Sequence, residues 1–144
     1  PDGPPGGLRR FPERGPLTLP VRGRLVSRYG ESTNFGNTVK GIRLETRPDA
    51  QVVTPFDGKV VFAGPFRTYG QILIIEHRGG YHTLLAGLAQ IDAVVGQWLL
   101  AGEPLGSMAT RKGGKPILYV ELRRNGQPIN PLPWITAEKL RVRG

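Results

Sequence analysis

Histidine, the side chain best suited to acid–base and metal chemistry at neutral pH, occurs only twice in the 144 residues, as His77 and His82. The two flank a predicted hairpin turn, so their side chains could approach each other beside Glu76. A zinc site would need a third strong ligand, and no motif supplies one. The favoured interpretation is that both histidines flank the turn with solvent or backbone partners.

The sequence lacks the signatures of several enzyme classes. It contains no HExxH, GxSxG or P-loop motif, and no cysteine to serve as a nucleophile, disulfide partner or metal ligand. A glycosidase would need paired carboxylates, and Glu45, Glu76 and Glu121 all fall in predicted strands. Exposed strand carboxylates next to Arg or Lys are the commoner explanation.

The chain is strongly basic, with 20 Lys and Arg against 11 Asp and Glu, a net charge of +9. This charge favours polyanions, anionic lipid or an acidic protein face without choosing among them. The aromatic residues are scattered and form no nucleic-acid-binding signature, so a solvated basic surface is favoured and no nucleic-acid partner is expected. The basic residues concerned are Arg9, Arg10, Arg14, Arg111, Lys112, Lys115, Arg123 and Arg124.

Turn-forming residues are abundant, with 21 Gly and 14 Pro, which excludes a helical bundle. Residues 1–16 are rich in Pro, Gly and charge and are predicted to be a flexible linker, leaving residues 17–144 as one domain. Short apolar runs between turns predict an all-β fold with a mainly antiparallel sheet. The one helix candidate covers residues 136–143, and residues 131–133 should be extended.

Residues 117–123 alternate in a way that bears on function. The even positions Leu118, Val120 and Leu122 are all aliphatic and should pack into the core. The odd positions, which include Tyr119 and Arg123, are mixed in character. This second face is therefore predicted to line a surface or groove.

Four segments in order resemble the LytM or lysostaphin-type metallopeptidase domain. They are GIRLETRPDAQVVTPFDGKVVFAG, YGQILIIEHRGGYHTLLAGLAQI, VGQWLLAGEPLGSM and ILYVELRRNGQPINPLPWI, which fall within residues 17–135. The resemblance implies a β-dominated domain with a central antiparallel sheet, a groove and little helix. His77 falls in a turn that is structural in this family.

Active members of the family hold zinc through an HxGxD and an HxH motif, helped by a further histidine in a YAHL-like segment. The matching positions in this sequence carry Val39, Arg43, Ile117, Tyr119 and Gly87. Valine and isoleucine cannot ligate zinc, and Arg43 places a positive charge where a dication would sit. The resemblance therefore implies the fold, while these replacements predict a domain without metal, cofactor or peptidase activity.

A zinc-free subgroup is a closer match. RYGE at residues 28–31, LYVELRR at residues 118–124 and NPLPW at residues 130–134 resemble the EnvC-type murein hydrolase activators. In that subgroup a Lys, two Tyr and an Arg line the vacated groove. These positions are Lys40, Tyr69, Tyr119 and Arg123 here.

The resemblance implies a periplasmic, non-catalytic activator in the Gram-negative envelope that acts during cell division and daughter-cell separation. Its partner would be an N-acetylmuramoyl-L-alanine amidase, whose regulatory helix the groove would bind to relieve autoinhibition. The contact that such activators make with the division complex uses a coiled coil, and this sequence shows no heptads. Two alternatives remain open: a peptidoglycan-binding module without an enzyme partner, and a residual hydrolase with an unfamiliar constellation.

Overall fold

The computed structural model describes residues 7–13, 16–33, 35–110 and 114–135. No helix in these ranges is long and apolar enough to span a membrane. The strands are β1 Arg24–Ser27, β2 Ile42–Glu45, β3 Gln51–Val53, β4 Gly58–Pro65, β5 Gln71–His77, β6 Tyr81–Leu88, β7 Gln90–Ile91, β8 Trp98–Leu99, β9 Pro104–Ser107, β10 Ile117–Arg124 and β11 Gln127–Ile129. Two 3₁₀ turns cover Arg67–Tyr69 and Leu132–Trp134.

The strands form one large antiparallel sheet in the order β1-β2-β10-β6-β5-β4-β8, with β11 paired to β10, and a small sheet in the order β3-β9-β7. The predicted hairpins are confirmed: β5 and β6 pair directly, as do β10 and β11. Asn125 and Gly126 join the second pair with positive φ at both residues, the conformation that makes Asn-Gly a favoured two-residue turn.

The core lies against one face of the large sheet. Leu118, Val120 and Leu122 are at most 4% exposed, as their alternation predicted. Because successive side chains of a strand point to opposite faces, Tyr119 and Arg123 point away from the core into which these three residues pack. The other fully buried residues of the core include Ile42, Leu44, Val52, Val60, Leu73, Ile75, Leu85 and Leu105.

Residues 8–12, which we call the N-terminal strap, pack against the domain, and for this stretch the linker prediction is wrong. Phe11 is only 3% exposed and stacks on Tyr81, with ring centroids 4.4 Å apart. The Arg9 guanidinium donates two hydrogen bonds to the Asp57 carboxylate, and the Trp134 indole N–H donates to the Pro12 carbonyl. Burial of these side chains outweighs the turn-forming composition that suggested a linker.

The end of the described chain also differs from expectation. Residues 131–133 were predicted to be extended, but Leu132–Trp134 is a 3₁₀ turn. The Asn130 side-chain oxygen accepts a hydrogen bond from the Leu132 amide, and the Trp134 amide donates to the Pro131 carbonyl. These local bonds overcome the tendency of Leu132 to be extended before a proline. The helix predicted over residues 136–143 lies outside the described residues.

Candidate functional site

A row of directly opposed residues crosses the outward face of the large sheet. On β10, Tyr119 lies opposite Arg43 of β2 on one side and Ala86 of β6 on the other, and Ala86 lies opposite Ile72 of β5. Cross-strand neighbours are about 5 Å apart, so this row forms a continuous strip of side chains. The strip is the floor of the site.

Above this floor lies a groove of about 600 Å³. The loop between β1 and β2 forms one wall, and the turn between β4 and β5 forms the other. The lining residues are Thr33, Asn37, Thr38, Val39, Lys40, Arg43, Phe66, Tyr69, Ile72, Leu84, Ala86, Gly87, Tyr119, Glu121 and Arg123.

The structure brings the four residues predicted to bind a partner into this one groove: Lys40, Tyr69, Tyr119 and Arg123. Three strands or loops distant in sequence supply them, so the shared groove follows from the sheet order and not from local spacing. Partner contact by these side chains remains a prediction.

The positions that match the metal motifs of the family also converge, with one exception. Val39, Arg43, Gly87 and Tyr119 line the groove. Ile117 does not; it is the first residue of β10, is 37% exposed and lies opposite Glu45.

These residues do not fit a zinc ion. Val39 offers no donor atom, and the Arg43 guanidinium lies 5.9 Å from the centre of the Tyr119 ring, a fixed positive charge at the middle of the floor. Across the described residues, no group of three or more His, Cys, Asp or Glu side chains comes together as a metal site.

Gly87 is tied to its position by backbone geometry. It is the extra residue of a β-bulge, because Ile72 pairs with Ala86 while Gln71 pairs with Leu88. Its φ is +109°, and a Cβ there would stand 2.5 Å from the Ile117 carbonyl oxygen. A histidine at this position would require the backbone to move.

The two histidines do not form a site together, because they lie on opposite faces of the sheet. His77 points into the protein, where its Nδ1 lies 2.8 Å from the Asp57 carbonyl oxygen and its Nε2 lies 2.7 Å from the Thr83 hydroxyl. Burial lowers the pKa of His77 to about 4. His82 lies on the outward face, with Nε2 3.7 Å from a carboxylate oxygen of Glu76.

Glu121 is a charged groove residue that the sequence interpretation did not include in the partner-binding set. The residue is buried, with 5% of its surface exposed. Oε1 accepts a hydrogen bond from the Tyr119 hydroxyl, and Oε2 accepts one from the Arg123 Nε. Burial, followed by this hydrogen bond, raises the pKa of Tyr119 well above its usual value, so the phenol stays neutral. The alternation of residues 117–123 was the available signal, since it placed all three residues on one face.

An aromatic wall, formed by Phe66 and Tyr69, was only half predicted. Their rings stack with centroids 6.2 Å apart, and the side chains are exposed at 41% and 61%. Arg67, between them, has φ of +50°, an unusual backbone conformation for a residue other than glycine. The 3₁₀ turn thus presents two large apolar rings to the groove.

Residues 37–131 match the Peptidase family M23, and the chain belongs to this family, the one whose LytM-type domain the sequence predicted. The matched segment contains every groove residue except Thr33.

Among the relatives whose names describe a function are two from Escherichia coli. The Murein hydrolase activator EnvC of Escherichia coli is 34% identical over 123 residues, which cover 85% of this chain and 29% of the relative. The Murein hydrolase activator NlpD of the same species is 30% identical over 120 residues, covering 81% of this chain and 30% of the relative. The chain therefore spans less than a third of either protein.

Solved structures confirm the predicted fold. A zinc containing peptidase from Vibrio cholerae superimposes with a TM-score of 0.69 at 26% identity, covering 85% of this chain and 39% of that one. Lysostaphin superimposes with a TM-score of 0.71 at 18% identity, covering 88% of this chain and 58% of that one, a likeness of fold alone.

Proposed function

We propose that this domain is a non-catalytic activator of a periplasmic N-acetylmuramoyl-L-alanine amidase. The groove would bind the regulatory helix that blocks the amidase active site and so relieve autoinhibition during cell division and daughter-cell separation. The single observation that carries the proposal is the composition of the groove, which offers cations and aromatic rings at positions that the family resemblance assigns to the metal motifs. The names of the relatives support the same class of function.

The two sides of the groove differ in a way that suits an amphipathic helix. Phe66 and Tyr69 present apolar surface on one wall, and Ile72 and Ala86 continue it along the floor. Lys40 on the opposite wall is exposed, as is Arg43. A helix with aliphatic residues on one face and Asp or Glu beside them would bury the first against the rings and pair the second with the cations.

The deciding experiment measures amidase turnover of dye-labelled peptidoglycan with and without this chain, using the amidases encoded in the source genome. The chain should raise amidase turnover and release no dye on its own. Binding of the chain to sacculi with no effect on any amidase would instead favour a peptidoglycan-binding module. Dye release by the chain alone would favour a residual hydrolase.

Variants of the groove should separate binding from folding. Lys40→Ala, Tyr69→Ala, Tyr119→Ala and Arg123→Ala should each weaken amidase binding, by about 30-fold where the truncated side chain is central to the interface. Arg47→Ala is the matched control, since Arg47 is exposed and lies outside the groove lining. Equal activation by all five variants would contradict the groove as the binding surface.

A further inference from the structure

We propose that Glu121 is a positioning residue, which fixes the Tyr119 hydroxyl and the Arg123 guanidinium in the orientations that a partner meets. The inference rests on the proposed function, because it assigns a role within the same groove. It concerns a side chain that the partner need not touch.

Both carboxylate oxygens of Glu121 are committed within the protein. Oε1 accepts from Tyr119 and Oε2 from Arg123, and each of these hydrogen bonds has a donor–acceptor distance of 2.5 Å. The three residues occupy alternate positions of β10, so their side chains leave the same face of the strand. Glu121 therefore lies between Tyr119 and Arg123 and is hydrogen-bonded to both.

The exposures of the three side chains assign the roles. Glu121 is 5% exposed, and its cross-strand neighbour on β6 is the apolar Leu84. The Arg123 side chain is 44% exposed, so it remains accessible from the groove while its Nε is held. Tyr119 is only partly buried. The carboxylate is thus placed to orient the other two residues and not to meet a partner itself.

Such an arrangement affects affinity because an arginine side chain loses considerable rotamer freedom when a partner immobilises it. Glu121 removes part of this freedom before binding. It also compensates the charge of Arg123. Within the described residues neither Lys40 nor Arg43 has an ion-pair partner, so the uncompensated positive charge of the groove lies on these two.

Three substitutions at position 121 distinguish positioning from charge. Glu121→Gln keeps the length of the side chain, and its amide can accept from the Arg123 Nε and donate to the Tyr119 oxygen. Glu121→Asp keeps the charge but is one methylene too short to reach both partners, and Glu121→Ala removes both contacts. If Glu121 acts by positioning, the Gln variant should match the natural protein in Arg123 proton exchange and in amidase affinity. The Asp and Ala variants should both depart from it in the same direction.

The first measurement needs no partner. In NMR spectra, the Arg123 Nε–Hε proton, identified by its loss in Arg123→Lys, should exchange with solvent slowly in the natural protein and in Glu121→Gln. Exchange should be at least tenfold faster in the Asp and Ala variants. Glu76→Gln, which alters an exposed carboxylate on the same sheet face, should leave the exchange rate unchanged. Exchange that is equally fast in all proteins would overturn the positioning role.

The second measurement is the affinity of each variant for the amidase that the natural protein activates. Glu121→Asp and Glu121→Ala should bind at least tenfold more weakly, and Glu121→Gln should stay within threefold of the natural protein. If Asp is normal while Gln and Ala are weak, charge matters and positioning is refuted. If the exchange rates behave as expected but the natural protein activates no amidase, the proposed function fails while the geometric role of Glu121 stands.

Discussion

Acidification should destabilise the fold through one buried side chain, His77. The imidazole is 3% exposed, and because a carbonyl oxygen can only accept, its Nδ1 must carry the proton donated to Asp57. Its Nε2 then accepts from the Thr83 hydroxyl. Protonation of Nε2 in the folded state forces the Thr83 hydroxyl to change from donor to acceptor and places a charge in the core.

The size and sign of the effect follow from the two pKa values. Burial lowers the pKa of His77 in the folded protein from an ordinary 6.5 to about 4. Between these values the unfolded chain binds a proton that the folded chain does not, so the free energy of unfolding falls as the pH falls. At about 1.36 kcal/mol per pKa unit, the full loss is about 3 kcal/mol. At pH 4.5 about 2 kcal/mol of it is already lost.

Urea unfolding at several pH values between 7 and 4.5 tests this directly. With a slope of about 2 kcal/mol per molar urea, the midpoint should fall by about 1 M across the range. His77→Gln should abolish this dependence, since its amide can still donate to the Asp57 carbonyl without titrating. His82→Gln, at the exposed histidine, should retain it. A midpoint that does not move with pH in the natural protein would refute the account of His77.

Four further outcomes are expected. Leu118→Ala should lower the free energy of unfolding by about 2 to 5 kcal/mol, because it empties core volume, whereas Arg43→Ala should change it by less than about 0.5 kcal/mol in the same urea titration. Phe11→Ala should cost about 3 to 5 kcal/mol if the N-terminal strap belongs to the domain, and an unchanged midpoint would restore the linker interpretation. Protein refolded with zinc and then dialysed should contain almost none by elemental analysis; one tightly held ion per chain would contradict the loss of ligands. Raising salt from low to physiological concentration should largely spare binding of an amidase-derived helical peptide but sharply weaken binding of a DNA duplex, and tight, salt-sensitive DNA binding without peptide binding would favour a basic-patch function.

Local patterns predicted the parts of this fold that depend on neighbouring residues. Alternation over residues 117–123 identified the buried and outward faces of β10, since strand periodicity depends only on backbone pleating. The Asn125–Gly126 turn was equally readable, because positive φ is a property of the residues themselves.

Features that depend on contacts between residues far apart in the chain could not be predicted from the sequence. The place of Phe11 depends on Tyr81 and Trp134, which lie far along the chain, and nothing in the flanking Pro and Gly residues signals that contact. The hydrogen bonds of Glu121 were likewise hidden, because alternation gives the face of a side chain but not its partners. Both features emerge only when the strands are assembled.

The register between β2 and β10 explains how one fold can present either a metal site or a binding groove. Position 43 on β2 and position 119 on β10 face each other across a single hydrogen-bonded ladder, so whatever side chains stand there meet at the floor of the groove. Acidic and imidazole groups at such positions would attract a cation. Arg43 and the neutral phenol of Tyr119 reverse this preference and favour a carboxylate. At these two floor positions the side chains alone set the class of ligand, and this supports the proposal that the groove binds an acidic helix.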